Sequence, residues 1–195
     1  MANAILVLAE QLRGEVCDIT YEMLGAGRAL AGATGAPLYA VLLGSEAAPL
    51  AGKLGAADKV FVVDNAQLNL APAGTVATAV KALMDQAQAG LVLVGCTNVS
   101  LGIGSVLAAK SGLPLVNFCR GAKADGGAVI CTSQLFGGKI LSDVKLADGK
   151  GIISIYPGAF SPDAGKSDKT PAVEKVEVPL EAPKVTFKQY LEPET

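Results

Sequence analysis

The chain of 195 residues contains no histidine and no tryptophan, and aromatic residues make up only 5% of it. Histidine is the usual general base near neutral pH and the commonest metal ligand, so its absence excludes Ser-His-Asp triads and histidine-based metal sites. No apolar run approaches the roughly 20 residues that a membrane-spanning helix needs, and no basic stretch precedes the first apolar segment. We therefore expect a cytoplasmic chain that is neither exported nor inserted into a membrane.

An excess of one charge is also missing, because 16 lysines and arginines stand against 18 aspartates and glutamates, for a net charge of −2. Neither sign forms a long run, so nucleic acid is not an expected partner. The four cysteines, Cys17, Cys96, Cys119 and Cys131, form no C-x-x-C pair, which argues against a zinc knuckle or a dithiol redox motif. We expect core thiols, since cysteine is among the most buried residue types.

Apolar runs alternate with stretches of helical periodicity over the first 117 residues. The runs are residues 4–9, 38–43, 59–63, 91–94 and 113–116. They lack the alternation of half-exposed strands, which predicts buried parallel strands. Helices are predicted between them at residues 20–34, 72–89 and 100–110, with a short one ending near residue 53. Thr20 is the predicted N-cap of the first helix.

This alternation predicts an α/β fold with a doubly wound, mostly parallel, Rossmann-like sheet covered by helices on both faces. After residue 117 the helical spacing disappears, and an antiparallel C-terminal extension is expected at the sheet edge. Its predicted strands are residues 128–133, 139–144 and 151–156. Residues 1–160 then form the α/β domain. Residues 161–195, which include five prolines, form an edge strand around Val176, Val178 and Leu180 and a linker tail.

The loop after the fourth predicted strand is the best candidate for a binding site. Ligands of open α/β sheets lie outside the carboxyl ends of the strands, where the strand order reverses, so the loops at residues 9–11, 44–46 and 95–100 are the possible binding loops. The weak candidates for nucleotide binding in the loop after the fourth strand are Thr97, Asn98, Ser100, Gly102 and Gly104. The free N–H groups at the start of the following helix would suit a phosphate. The alternative is that Ser100 only caps the helix and that the glycines only allow close packing.

Known sequence fingerprints do not extend this loop into a cofactor site. Gly102 and Gly104 are followed by Leu107 where the dinucleotide fingerprint has glycine or alanine, and no Walker lysine motif is present. Glu10, at the end of the first strand, is a single carboxylate for which a turn or cap role is expected. No catalytic residue and no metal-ligating set is predicted.

Five segments of the chain occur in a distinctive order and spacing. They are residues 6–10 (LVLAE), 56–60 (AADKV), 97–114 (ending in GLP), 136–140 (FGGKI) and 155–160 (IYPGAF). Together they resemble the amino-terminal domain of the electron transfer flavoprotein alpha subunit, which has an adenine nucleotide alpha hydrolase-like fold. The chain departs from the family pattern at Val106 and Tyr156, where arginine is common, and at Asn117, where aspartate is common, as in a divergent branch.

The resemblance implies an assembly domain without catalytic residues of its own. In this family the domain packs against a beta subunit in a heterodimer, while FAD on a second domain carries electrons from dehydrogenases such as those acting on acyl-CoA. The glycine-arginine-glycine segment and the histidine of that second domain do not occur here, so no FAD is expected on this chain alone. Residues 185–195 resemble the connector to it, which implies either part of a longer protein or a stand-alone relative.

Two other functions remain open from the residues themselves. One is a stand-alone adenine-nucleotide-binding module that uses the loop of residues 95–104. The other is a small hydrolase acting on nucleotides, which the missing histidine and the lack of clustered carboxylates make the weaker alternative.

Overall fold

The computed structural model describes residues 3–189 and 191, so the last part of the predicted linker tail lies outside the described residues. The strands are β1 (Ala4–Leu8), β2 (Gln11–Leu12), β3 (Glu15–Val16), β4 (Leu38–Leu43), β5 (Lys59–Val63), β6 (Ala89–Gly95), β7 (Leu115–Asp125), β8 (Ala128–Leu135), β9 (Ile140–Leu146), β10 (Gly151–Ile155) and β11 (Ala172–Lys175). The α-helices are α1 (Asp18–Thr34), α2 (Ala73–Ala87) and α3 (Ile103–Ser111). Short 3₁₀ helices cover Ala48–Lys53, Ala66–Leu68, Phe136–Gly138 and Pro162–Gly165.

One mixed sheet organises the described part of the chain, with the strand order β11-β5-β4-β1-β6-β10-β7-β8-β9. The strands from β11 to β7 run parallel to one another, and β8 and β9 are antiparallel. Strands β2 and β3 form a separate small hairpin. The predicted α/β class, with its mostly parallel sheet and antiparallel extension, is confirmed.

Helices cover both faces of the parallel strands, which explains why these strands are continuously apolar. All five residues of β1 are buried. Val7 belongs to the core on the α1 side, and the neighbouring Leu6 belongs to the core on the α2 and α3 side. A strand buried on both faces has no solvent-facing position at which a polar residue would be favoured.

Strand β10 lies between β6 and β7 and is parallel to both. The prediction that residues 151–156 form an antiparallel strand of the edge extension is therefore wrong. All five residues of β10 are buried, and Ile152 and Ile153 contribute to opposite cores. The chain returns from the antiparallel extension to the centre of the sheet, where such an unbroken apolar run is stable.

Strand β7 changes direction near Phe118, whose φ is 50°, and its pairing register shifts between Cys119 and Gly121. The antiparallel strands that follow lie against the α1 side of the sheet, because Val129, Cys131 and Leu146 belong to that core. A bulge of this kind bends a strand and increases its twist. The extension therefore covers a face of the parallel sheet as well as lengthening its edge.

Two helices begin at other residues than predicted. The N-cap of α1 is Cys17 and not Thr20. The Thr20 hydroxyl is instead bound to the backbone of Glu10. It accepts a hydrogen bond from the Glu10 N–H at 2.8 Å and donates one to the Glu10 carbonyl at 3.0 Å. Gly102, not Ser100, is the N-cap of α3. The Ser100 hydroxyl instead donates to the Glu10 carboxylate, so both predicted caps serve Glu10.

The segment after residue 160 returns to the sheet. The edge strand β11 pairs with β5, a few residues before the predicted position. Val176, Val178 and Leu180 instead pack against the core on the α2 and α3 side. No helix among the described residues has the length and apolar character required to cross a membrane.

Candidate functional site

A cavity of about 710 Å³ lies at the carboxyl ends of the parallel strands, beside the reversal of strand order between β1 and β6. Its walls come from the segments after β1 and β4 and from residues 68–71 and 98–103. The polar lining residues are Glu10, Gln11, Arg13, Ser45, Glu46, Asn69, Asn98 and Ser100. This is the position at which open α/β sheets bind ligands.

Glu10 lies at one wall of the cavity and is only 3% exposed. Its Oε2 accepts a hydrogen bond from Thr97 Oγ1 at 2.7 Å, and its Oε1 accepts one from Ser100 Oγ at 2.6 Å. The carboxylate lies directly against Gly95, where a Cβ atom would overlap Oε1. The end of β6 must therefore be glycine for Glu10 to take this position.

Burial raises the pKa of the Glu10 carboxyl above its ordinary value, and the hydrogen bonds from Ser100 and Thr97 act in the opposite direction. The pKa of the nearby Cys17 thiol is also raised. Its pKa is raised by burial first and then by the negative charges of Glu10 and Asp18. A raised pKa keeps Cys17 protonated and hence a poor nucleophile.

A second wall of the cavity is built by Ser45 and Asn69. Asn69 Oδ1 accepts the Ser45 N–H at 2.9 Å, and Asn69 Nδ2 donates to Ser45 Oγ at 2.6 Å. The preceding Gly44 has a φ of 121°, a conformation that glycine adopts without a Cβ clash. These bonds hold the segment after β4 to the segment before α2.

The candidate residues of the loop of residues 95–104 have separate positions. Asn98 and Ser100 line the cavity, whereas Thr97, Gly102 and Gly104 are not among its lining residues. Gly102 has a φ of 83° at the start of α3. At Gly104 an added Cβ would lie 3.2 Å from Val94 and 3.3 Å from Leu115, so this glycine allows α3 to pack closely on the sheet.

The loops at residues 9–11 and 44–46, which the sequence indicated as possible binding loops, supply Gln11, Ser45 and Glu46 to the cavity, whereas Asn69 was not singled out. Gln11 begins the short strand β2, and Ser45, Glu46 and Asn69 lie in loops that carry no motif. The available signal was their place directly after β1 and β4, or before α2, since the carboxyl ends of parallel strands meet at one edge of the sheet. The partners of Glu10 were not foreseen, because Thr97 and Ser100 are 87 and 90 residues away in the chain.

A second buried carboxylate, Glu22 on α1, lies away from the cavity lining. It accepts the N–H groups of Gly158 at 3.0 Å and Phe160 at 3.2 Å. These residues belong to the segment IYPGAF that follows β10. The segment is therefore attached to α1 through its backbone, which a search for side-chain motifs does not show.

The cysteines are only partly core residues, since Cys119 and Cys131 are buried and Cys17 and Cys96 are half-buried. All four are free thiols. Within the described residues, no group of three or more Cys, Asp or Glu side chains is placed to hold a metal ion.

Comparison with known proteins gives a match over most of the chain. Residues 5–181 match the family model described as the electron transfer flavoprotein domain. The electron transfer flavoprotein subunit alpha of Megasphaera elsdenii is 30% identical over 179 residues, which cover 89% of this chain and 53% of that protein. The subunit of the same name from Clostridium acetobutylicum is 28% identical over 195 residues, with coverages of 95% and 57%.

A shorter match is found with a protein that has a different name. The acryloyl-CoA reductase electron transfer subunit beta of Anaerotignum propionicum is 32% identical over 108 residues, covering 54% of this chain and 29% of that protein. The chain spans about half the length of the alpha subunits that it matches. The resemblance inferred from the five segments is confirmed, and the chain belongs to the electron transfer flavoprotein domain family.

Proposed function

We propose that this chain is the assembly domain of an alpha-type electron transfer flavoprotein and packs against a beta subunit in a cytoplasmic heterodimer. The observation that carries the proposal is the family match over residues 5–181. The relatives named alpha subunits support the subunit type. In this proposal the assembly passes electrons from dehydrogenases, such as those acting on acyl-CoA, and the chain holds its partners at the distance and orientation that electron transfer requires.

The two buried carboxylates support a scaffolding role. Glu10 joins the ends of β1 and β6 through hydroxyl donors, and Glu22 joins α1 to the segment after β10. Both are engaged in bonds that connect distant parts of the chain. In the proposal they stabilise the scaffold and transfer no proton.

FAD supplies the electron-carrying chemistry when it is bound, and we place it outside this chain. A dinucleotide needs positive or N–H-rich surroundings for its pyrophosphate. The lining of the cavity at the carboxyl ends of the strands instead places two carboxylates, Glu10 and Glu46, beside one cation, Arg13. A lining in which carboxylates outnumber cations does not fit a pyrophosphate, so no step through FAD is assigned to this cavity.

The proposal is tested by mixing the purified chain with its cognate electron transfer flavoprotein beta subunit. We expect a complex in gel filtration and a saturable heat signal in titration calorimetry at micromolar concentrations. An unrelated α/β protein of similar size serves as the control. If the beta subunit and the chain elute separately and show no heat of binding, the assembly function is wrong.

A second candidate function is a stand-alone adenine-nucleotide-binding module. The cavity of about 710 Å³, lined by Asn98 and Ser100, favours it. The engagement of the Ser100 hydroxyl by Glu10 counts against a direct bond from Ser100 to phosphate. Thermal denaturation with millimolar AMP, ATP or FAD separates the alternatives, because a ligand at 100 times its Kd stabilises the fold by about 2.7 kcal/mol. If no nucleotide raises the Tm, this candidate is rejected.

A further inference from the structure

The tip of the β8–β9 hairpin, residues 135–141, is unusually apolar for an exposed turn. Leu135 is 42% exposed, Phe136 76%, Ile140 50% and Leu141 60%. Leu135 and Ile140 are direct cross-strand partners, so their two side chains lie side by side on one face of the hairpin. A concentration of large apolar side chains on a surface marks an interaction site more often than single exposed residues do.

The backbone of the hairpin tip takes an uncommon conformation. Phe136 has a φ of 51°, followed by Gly137 at 67° and Gly138 at 88°. The left-handed region is natural for glycine but unfavourable for a bulky residue such as phenylalanine. This backbone conformation costs free energy and leaves the Phe136 ring exposed to solvent. Within this chain, burial of the ring does not offset that cost.

The hairpin tip contains one charged side chain, Lys139, and no carboxylate. Residues 115–146 contain four cations, Arg120, Lys123, Lys139 and Lys145, and two carboxylates, Asp125 and Asp143, whereas the whole chain has a net charge of −2. Lys145 is paired with Asp125 at 3.4 Å. Lys139 lies within the tip and forms no ion pair in the described part of the chain.

We propose that the hairpin tip docks into an apolar recess of a different protein whose rim carries carboxylates near Lys139. In the complex that recess covers the Phe136 ring and the paired Leu135 and Ile140 side chains. A second copy of this chain is a poor occupant, because a two-fold contact through the tip would bring two Lys139 side chains together. This inference rests on the proposed function, and the occupant is the beta subunit of the assembly.

The test compares variants of the full chain in titration calorimetry with the cognate beta subunit. The double variant Phe136→Ser, Ile140→Ser removes two apolar side chains that the proposed recess covers. Its matched control is Val173→Ser on β11, which is 49% exposed on the opposite edge strand. Lys139→Glu reverses the tip charge, and Lys53→Glu makes the same change at another exposed position. Equal thermal midpoints of all variants show that the fold is intact.

We expect the double variant to raise the Kd at least about tenfold, as loss of central apolar contacts does in other interfaces. Lys139→Glu is expected to raise the Kd and to weaken its dependence on salt concentration. Val173→Ser and Lys53→Glu are expected to leave the Kd within about twofold of the original chain, the usual range for residues outside an interface.

Three results would overturn the inference. If the chain binds the beta subunit and the tip variants bind equally well, the docking site is wrong while the proposed function stands. If the original chain does not bind the beta subunit, the proposed function fails and the occupant with it. If sedimentation of the chain alone shows a dimer that the double variant abolishes, the occupant of the tip is a second copy.

Discussion

Glu10 is nearly inaccessible at the end of β1, yet both of its carboxylate oxygens accept hydrogen bonds from hydroxyl groups. Its backbone N–H and carbonyl are bound by a third hydroxyl, that of Thr20. One residue thus connects the first strand, the first helix and the loop after β6. Buried polar groups are tolerated in proteins when they are bonded in this way.

Replacing Glu10 by glutamine is expected to reduce the dependence of stability on pH. Burial raises the pKa of Glu10 above 4.5 in the folded chain, so the folded state retains a proton that the unfolded state has lost. The contribution of Glu10 to the free energy of unfolding is therefore largest at low pH and falls as the pH rises from 4.5 through the raised pKa. Glu10→Gln removes this fall.

Urea denaturation at several pH values checks the prediction. The free energy of unfolding of Glu10→Gln should change less between pH 4.5 and neutral pH than that of the original chain, and should equal or exceed it at neutral pH. Glu46→Gln makes the same chemical change at an exposed carboxylate of the same cavity. A Glu10→Gln profile parallel to the original one would show that the Glu10 pKa does not differ between the two states.

At the scale of secondary structure, α1 is packed closely on one side and open on another. Gly25 faces the 3₁₀ helix Pro162–Gly165, and an added Cβ would lie 3.0 Å from Ala164 Cβ and 3.1 Å from the Ala164 backbone carbon. Gly32, two turns later in the same helix, is exposed and has no atom within 4 Å of such a Cβ. Close packing therefore requires a glycine at position 25, whereas no contact requires one at position 32.

Alanine at these two positions is expected to change stability in opposite directions. Gly32→Ala should raise the free energy of unfolding by about 0.5–1 kcal/mol, because alanine has the better helix propensity. Gly25→Ala should lower it by about 1–3 kcal/mol, because the methyl group overpacks the contact with residues 162–165. Chemical denaturation of both variants measures the difference. A gain of stability in Gly25→Ala would mean that the contact with Ala164 is not tight.

At the scale of the whole molecule, the segment after β10 passes over several earlier elements. It contacts α1 through residues 162–165, adds β11 to the edge of the sheet, and packs Val176, Val178 and Leu180 on the α2 and α3 side. The ion pair between Lys59 and Glu174 at 2.8 Å joins β5 to β11. Since both side chains are more than a third exposed, we attribute most of the stabilisation to the apolar contacts.

A chain that ends at residue 160 is expected to be less stable. Partial burial of three aliphatic side chains contributes roughly 1 kcal/mol each, so the free energy of unfolding should fall by about 3 kcal/mol. Urea denaturation followed by circular dichroism measures the change. An unchanged midpoint would mean that residues 161–195 do not stabilise the α/β domain. The division into a domain of residues 1–160 and an edge strand with a linker tail at residues 161–195 remains a prediction.

The places where sequence reasoning succeeded share one physical cause. The strands β1, β4, β5 and β6 are buried on both faces, so each required a local apolar run that is visible in a few consecutive residues. The starts of α1 and α3 were misplaced although Thr20 and Ser100 are good capping residues. Their hydroxyls bind Glu10, 10 and 90 residues away, and local propensity carries no information about such partners.

The amino-acid sequence by itself determined the α/β class, the parallel core and the family, because these follow from local patterns of burial and from short segments in a set order. Only the tertiary structure decided that β10 lies in the middle of the sheet and that the antiparallel strands cover the α1 side. It also decided that Glu10 is held by Thr97 and Ser100. The physical reason is that each of these outcomes depends on contacts between residues far apart in the chain, and a contact of that kind leaves no periodic or local mark in the sequence.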